Sequence, residues 1–373
     1  MRSQKIGVLT FTRANNYGAV LQNYALVEYL KKNINDCSVN TIDYRSTVLE
    51  EPYAVSPFQY DGSNPLKKVW YMVRSLANIR KFERLTSEFD TFRLKYLYMS
   101  KSYSQEGDNS LADDFDIFIT GSDQVWNDRI TGADPFYSLG FDTNARKVSY
   151  AASCGSVDYI GDATLHNIKS IDSISVREKD LKEYLEQRLE RRIVQVLDPV
   201  FLLSKNEWDS LLGEGRLLKK KYIFAYSVSE KTDDVVGVAK NLAKKEKLAI
   251  VHLDHSLRYG VNGVKMYGAS PLEFIQLIRD AEYVIASSFH AVAFSIIFQK
   301  RFVVVPTEKT KSRITNLLDI TNASSNLFDN YKSFISNRRE IKIADIEGIT
   351  HQLAESKTFL QSAILGRSDE QKG

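Results

Sequence analysis

A chain of 373 residues is longer than one ordinary core, so two domains are expected. Hydrophobic residues make up 43% and charged residues 26%, the balance of a globular protein rather than a disordered or fibrous one. The formal net charge of +3 gives no reason to expect a nucleic-acid partner, and two cysteines, Cys37 and Cys154, cannot build a disulfide framework or a zinc site.

The start, MRSQKIGVLTF, lacks the apolar stretch of a signal peptide, and no window reaches the roughly 18 apolar residues of a membrane span. The cytoplasm is the expected compartment. Two locally basic runs, 67–84 and 216–221, read as solvated faces or as peripheral contacts with an anionic membrane surface. The aromatic residues, Tyr 20 and Phe 19, mainly fill cores, although tyrosine-rich surfaces also suit sugars.

In chain order, 6–11 (IGVLTF) is a buried strand and 12–16 a loop, followed by a helix over 17–32 with apolar residues at helical spacing. A strand at 39–44 precedes an excursion, 46–113, which holds Pro52, Pro57, Pro65 and a helical stretch at 66–97. The excursion reads either as a flap over a site or as a structural insertion. Strands follow at 115–120, 147–153, 173–176 and 193–197, with a helix at 178–189. A second series runs strand 222–228, helix 233–245, strand 249–253, helix 271–280, strand 283–286, helix 291–299, strand 302–305 and helix 312–320. Such alternation predicts parallel sheets covered on both faces. The expected domains are 1–205 and 206–342, with the boundary inside 203–219 and a last helix, 343–366, crossing back to the first domain.

Ligands of such folds bind where strands end and helices begin, and the unpaired amides of a helix start attract anions. Four corners qualify. The first, RANNYGAVLQ, offers Asn16, Tyr17 and Gly18 for a tight turn but neither a dinucleotide fingerprint nor a P-loop. The second, TGSDQVWN, packs Ser122, Asp123 and Gln124 at a strand end, either as site residues or as caps of the next element. In the third, SISVREKD, Arg177 leaves a buried strand, and its planar fork suits a carboxylate or phosphate; the plainer alternative is an ion pair with Asp198. The fourth, ASSFHAVAFSIIF, places His290 after Ser288 at a helix start. His252 and His255 flank Asp254, but no third ligand accompanies them, so no metal is expected.

The segments NNYGAVLQNYAL, FDTFRLKYLYMS, DIFITGSDQVWN, SVREK, VLDPVFLL and SPLEFIQLIRDAEYVIASSFHAVAFSIIF, in this order, resemble the bacterial polysaccharide pyruvyl transferase family over most of residues 5–320. The resemblance implies a GT-B-like fold of two facing Rossmann-like domains. It implies phosphoenolpyruvate as co-substrate and donor, with no further cofactor. The acceptor would be two hydroxyls of a galactose-type sugar in a capsule or exopolysaccharide, or in its lipid-linked precursor at the inner face of the membrane. The products would be a cyclic ketal and phosphate. The family's donor arginine falls on Arg177 and its catalytic histidine on His290. Its glycine-containing loop falls on Asn16–Gly18, its GSDQ turn on 121–124, and its later basic residues on Lys309 and Arg313.

The residues agree with that chemistry. Phosphoenolpyruvate needs convergent cations and amides, and ketal formation needs an acid/base group, for which His290 stands first and Asp123 second. Two other readings remain open from sequence: a nucleotide-sugar-dependent GT-B glycosyltransferase, and a non-catalytic sugar-binding protein.

Overall fold

Short apolar runs become parallel strands in the computed structural model, which describes residues 3–50, 83–104, 111–228, 231–254, 264–266, 269–337 and 339–366. Pro52, Pro57, Pro65, His255, nearly all of the basic run 67–84 and most of the 66–97 helical stretch lie outside the described residues. The first sheet holds β1 (Gln4–Leu9), β2 (Cys37–Arg45), β3 (Met99–Ser104), β4 (Ile117–Thr120), β5 (Arg146–Ala152), β6 (Ser173–Val176) and β7 (Val194–Gln195). Its order is β3-β2-β1-β4-β5-β6-β7, every pairing parallel. The second sheet holds β8 (Tyr222–Ser227), β9 (Ala249–Asp254), β10 (Val264–Met266), β11 (Tyr283–Ala286) and β12 (Arg301–Val304). It runs β10-β9-β8-β11-β12, again all parallel.

Both orders are those of a doubly wound nucleotide-binding sheet, with the chain reversing direction between β1 and β4 and between β8 and β11. Strands buried on both faces read as continuous apolar runs, as in β4 (IFIT) and β11 (YVIA), where every residue is buried. β5 is bulged beyond Ser149, with Ala151 at φ 52°. Serines repair the broken ladder: the Ala151 amide donates to Ser175 Oγ (3.2 Å) and the Ser175 amide to Ser149 Oγ (3.1 Å).

Two helices begin at these reversals. Tyr17–Asn33 is capped by Asn16, whose side chain accepts from the amides of Gly18 (2.9 Å) and Ala19 (3.4 Å). Phe289–Ile297 is buried at all nine positions, as a helix that is apolar all round must be. One hydrophobic cluster crosses the domain boundary, joining Val20, Leu21 and Tyr24 to Phe274 and Phe294. Within it, Tyr17 stacks on Phe274 with centroids 4.5 Å apart and donates its hydroxyl to the Ala269 carbonyl at 2.8 Å. Trp208 bridges Tyr24 and Phe294 at 5.6 and 5.0 Å.

The helix Thr350–Leu365 lies on the first domain, where Arg146 Nη1 donates to the Ala363 carbonyl and the Leu197 amide to Ser356 Oγ. It starts seven residues later than the periodicity from 343 predicts, after the short 3-10 turn Glu347–Ile349. Residues 99–104, assigned from sequence to the excursion, instead form the edge strand β3. The helix Glu308–Ile320 starts four residues before the predicted 312, because Thr307 and Thr310 form a capping box. The helix Lys205–Leu212 occupies part of the expected boundary, started by the Ser204–Glu207 capping box. Among the described residues, no helix is long and apolar enough to cross a membrane.

Candidate active site

The corner after β4 is built by its own side chains. Asp123 holds φ 78°, a left-handed conformation that costs a non-glycine residue free energy. Its carbonyl accepts from the Ser153 amide at 3.0 Å and its Oδ1 from the Gln124 amide at 3.0 Å. Gln124 Oε1 in turn accepts from Asn127 Nδ2 at 2.7 Å. Gln124 therefore shapes the turn, while Ser122, fully buried, turns its hydroxyl toward Asp198 Oδ2 at 3.2 Å.

Asp198 is the hub. It follows β7, caps the 3-10 helix Pro199–Leu202 through Oδ1, and receives Arg177 Nη1 on Oδ2 at 2.7 Å. The ion pair offered as the plainer reading of Arg177 is thus present. Arg177 is 7% exposed, and its Nε also donates to Glu178 Oε1 (3.1 Å), which accepts from Ser153 Oγ (2.7 Å). Its Nη2 is buried and has no hydrogen-bond partner among the described residues. Burial works against the charge of Arg177, but Glu178 and Asp198 outweigh it and hold the guanidinium protonated. Burial likewise opposes the charge of Asp198, yet His290 and Arg177 hold its carboxyl well below the usual range.

That depressed carboxyl is linked to stability. Replacing Asp198 by Asn leaves Arg177 short of one carboxylate and should cost about 3 kcal/mol, the lower end for breaking a buried pair, because Glu178 remains. A depressed pKa contributes its stability above the unfolded value of about 3.9 and loses it as pH falls toward the folded one. Denaturant titrations should therefore show a full gap between wild type and Asp198→Asn at pH 7 and a narrowing gap below about pH 4. A gap independent of pH would mean that packing, not charge, holds Asp198.

His290 enters from the second domain on the helix Phe289–Ile297. Its Nε2 lies 3.5 Å from Asp198 Oδ2, an ion-pair distance longer than a well-formed hydrogen bond, and otherwise has no partner. The Nδ1 edge lies over Gly18: a β-carbon at residue 18 would come within 2.0 Å of Nδ1. Only glycine lets the two domains approach this closely. Ser288 precedes the helix without capping it by its side chain. The Phe289 ring lies 5.0 Å from the Arg177 guanidinium, within cation–π range.

Arg313, on the helix Glu308–Ile320, is 8% exposed. Its Nη2 donates to the Lys309 carbonyl at 3.2 Å, and its Nε has no partner among the described residues. Among the described residues the buried arginines are Arg93, Arg177 and Arg313, and the first two have carboxylate partners within 4 Å whereas Arg313 has none. Burial lowers its pKa and the neighbouring Arg177 lowers it further. Arg177, Asp198, Phe289 and Arg313 line a common cleft of about 210 Å³.

The first loop serves mainly as scaffold: Asn16 caps, Tyr17 joins the domains and Gly18 admits the imidazole. Lys309 is exposed and reaches the site through its backbone carbonyl to Arg313. Sequence reasoning did not single out Asp198 as a site residue, nor Arg93. The Arg93 guanidinium donates to the carbonyls of Thr12 (2.7 Å), Arg13 (3.0 Å) and Ala14 (2.9 Å), fixing the loop that leads to Gly18. Cys154 is buried, and burial beside Glu178 pushes its thiol pKa up, so it is not a nucleophile at neutral pH. No group of three or more metal-ligating side chains occurs among the described residues.

The chain is similar in fold to a candidate UDP-N-acetylglucosamine 2-epimerase from Listeria monocytogenes (10% identity, 98% of each chain, TM-score 0.53). A second solved structure, S. aureus MnaA with UDP, gives 11% identity over 99% of each chain and a TM-score of 0.52. At such identities the likeness is one of fold, the GT-B-like arrangement of two facing Rossmann-like domains. No curated protein matches the chain by sequence. The profile of the polysaccharide pyruvyl transferases matches residues 16–309, a span that contains Gly18, Arg177, Asp198 and His290 and stops just short of Arg313. With that match over most of its length, and with those four residues joined in one run of contacts between the two domains, the chain belongs to the polysaccharide pyruvyl transferase family.

Proposed function

We propose that the protein transfers the pyruvyl group of phosphoenolpyruvate onto two hydroxyls of a galactose-type sugar in a bacterial polysaccharide or its lipid-linked precursor. The observation that carries this reading is Arg313, a buried cation without a carboxylate within 4 Å among the described residues. Glu178, Asp123 and Asp198 offset its burial only in part, and an incompletely compensated buried charge is costly, so such a site favours an anion, and phosphoenolpyruvate brings a carboxylate and a phosphate. Arg177, on the same cleft, adds a buried Nη2 with no hydrogen-bond partner among the described residues, and the start of the His290 helix adds a favourable dipole.

In this reading protonated His290 delivers a proton to the methylene carbon of phosphoenolpyruvate, creating the methyl group. One sugar hydroxyl adds to the adjacent carbon and its proton returns to His290. The carbon–oxygen bond to phosphate breaks, the second hydroxyl closes the ring, and its proton leaves with phosphate. Asp198 Oδ2, 3.5 Å from Nε2, holds the ring in place for these steps. Phosphoenolpyruvate is consumed as co-substrate, and no cofactor enters. A lipid-linked acceptor would place the protein at the inner membrane face, toward which exposed Arg216, Lys219 and Lys220 offer positive charge.

Incubation with phosphoenolpyruvate and free or lipid-linked galactosides should release inorganic phosphate only when an acceptor is present. Turnover with a nucleotide sugar, and none with phosphoenolpyruvate, would replace this reading by glycosyl transfer.

A further inference from the structure

We propose that the cleft has two chemically different ends, and that its outer, amide-lined end holds the acceptor as a single neutral sugar ring at the end of its chain. This rests on the pyruvyl-transfer reading above. The helix Glu308–Ile320 runs along the cleft and turns Arg313, Asn316, Leu317 and Ile320 to it, the spacing of one helical face. Seven residues at 1.5 Å each separate Arg313 from Ile320 by roughly 10 Å, room for a three-carbon donor followed by a ring. Character changes along that distance. The Arg313 end is buried and cationic, whereas Asn316 and Ile320 are half-buried.

At the outer end the half-buried amide of Gln352, from the first turn of Thr350–Leu365, faces the same cleft. The side chains of Asn316 and Gln352 make no hydrogen bond to any described residue, so each keeps two donors and an acceptor for a ligand. Two exposed charges on the lining, Lys179 and Asp319, are of opposite sign and each has a partner of its own, Glu183 and Ser324, so neither is committed to a ligand. Free amides beside an apolar wall, without net charge, match a sugar, whose hydroxyls want paired donors and acceptors and whose ring presents an apolar face. The volume of about 210 Å³ falls below the range of about 300–1,000 Å³ for drug-sized ligands. That favours one terminal ring, with the rest of the saccharide outside.

The test separates sugar binding from donor chemistry. Methyl galactoside, methyl glucoside and methyl mannoside are titrated by ligand-observed NMR against the full chain and against Asn316→Ala, Gln352→Ala and the double variant. Phosphoenolpyruvate is titrated separately by calorimetry. Wild type should bind at least one glycoside, each single variant should weaken it roughly 3- to 10-fold, and the double variant should abolish measurable binding. Phosphoenolpyruvate affinity should stay within about twofold throughout, since neither amide belongs to the cationic end. Unchanged glycoside binding in the double variant, or no glycoside bound by wild type, overturns the proposal. Failure of phosphoenolpyruvate to bind overturns the pyruvyl-transfer reading instead and leaves the glycoside result to be judged by itself. Should an alanine variant not fold, the near-isosteric Asn316→Asp and Gln352→Glu carry the same comparison.

Discussion

Replacing Arg313 by methionine should give a protein at least as stable as the wild type that no longer binds phosphoenolpyruvate. The two halves of that expectation come from one fact, that Arg313 is buried with an unpaired Nε and no carboxylate partner. Its charge is poorly solvated and repelled by Arg177, with Glu178, Asp123 and Asp198 offsetting this only in part, and an apolar side chain of similar volume removes both penalties. Such replacements of buried charges are neutral or stabilising by about 1–4 kcal/mol. The donor loses the opposite way: each hydrogen bond to a charged group is worth about 1.5–3 kcal/mol, so two lost contacts weaken binding by about 10²-fold or more. Denaturant midpoints and calorimetric titration read the two effects separately. A variant destabilised by several kcal/mol would show that Asp123, Glu178 and Asp198 already use Arg313 as a structural cation.

His290→Gln should fold normally, bind phosphoenolpyruvate within a few-fold of wild type, and turn over about 10²-fold more slowly. Glutamine fills much of the same space over Gly18 and can hydrogen-bond, but its amide cannot donate a proton to carbon at neutral pH. The alkaline limb of the wild-type pH–rate profile should be absent from what activity remains. Asp198 sharpens the expectation, because its carboxylate lies 3.5 Å from the Nε2 that would carry the proton. Substantial turnover in the glutamine variant would make His290, which adjoins the cleft through Asp198 and Phe289 without lining it, a packing or hydrogen-bonding residue and assign the acid to another side chain.

Much of this site could be read from sequence because parallel strands announce where they end. The runs IFIT and YVIA are mostly apolar and SISV alternates serine with isoleucine and valine, so the polar groups that follow, Ser122, Arg177 and His290, stand out as strand ends. The structure brings these three around one carboxylate. That carboxylate was legible only as a salt-bridge partner, since Asp198 before Pro199 looks like an ordinary cap and does in fact cap. Arg93 was invisible for a different reason: its meaning lies in three carbonyls some 80 positions earlier, and no local pattern encodes that contact. β3 was hidden because MSKSYS is mostly polar, as an edge strand tends to be. Arg177 shows the limit most clearly. Its strand-end position was read correctly, yet sequence could not tell that protein carboxylates hold its Nε and Nη1, leaving Arg313 as the less compensated cation.

The cluster that runs from Val20 and Tyr24 through Trp208 to Phe294 makes the halves interdependent in a way the two separate sheets conceal. Either half made alone would turn Tyr17, or its stacking partner Phe274, toward water along with the apolar surface around it. Such a fragment has a ready reason to associate with itself, so neither sheet is a transplantable module. The second domain could not simply be exchanged for that of a relative to change its specificity, because the exchange would also have to carry the matching face of the helix Tyr17–Asn33, down to the missing side chain of Gly18.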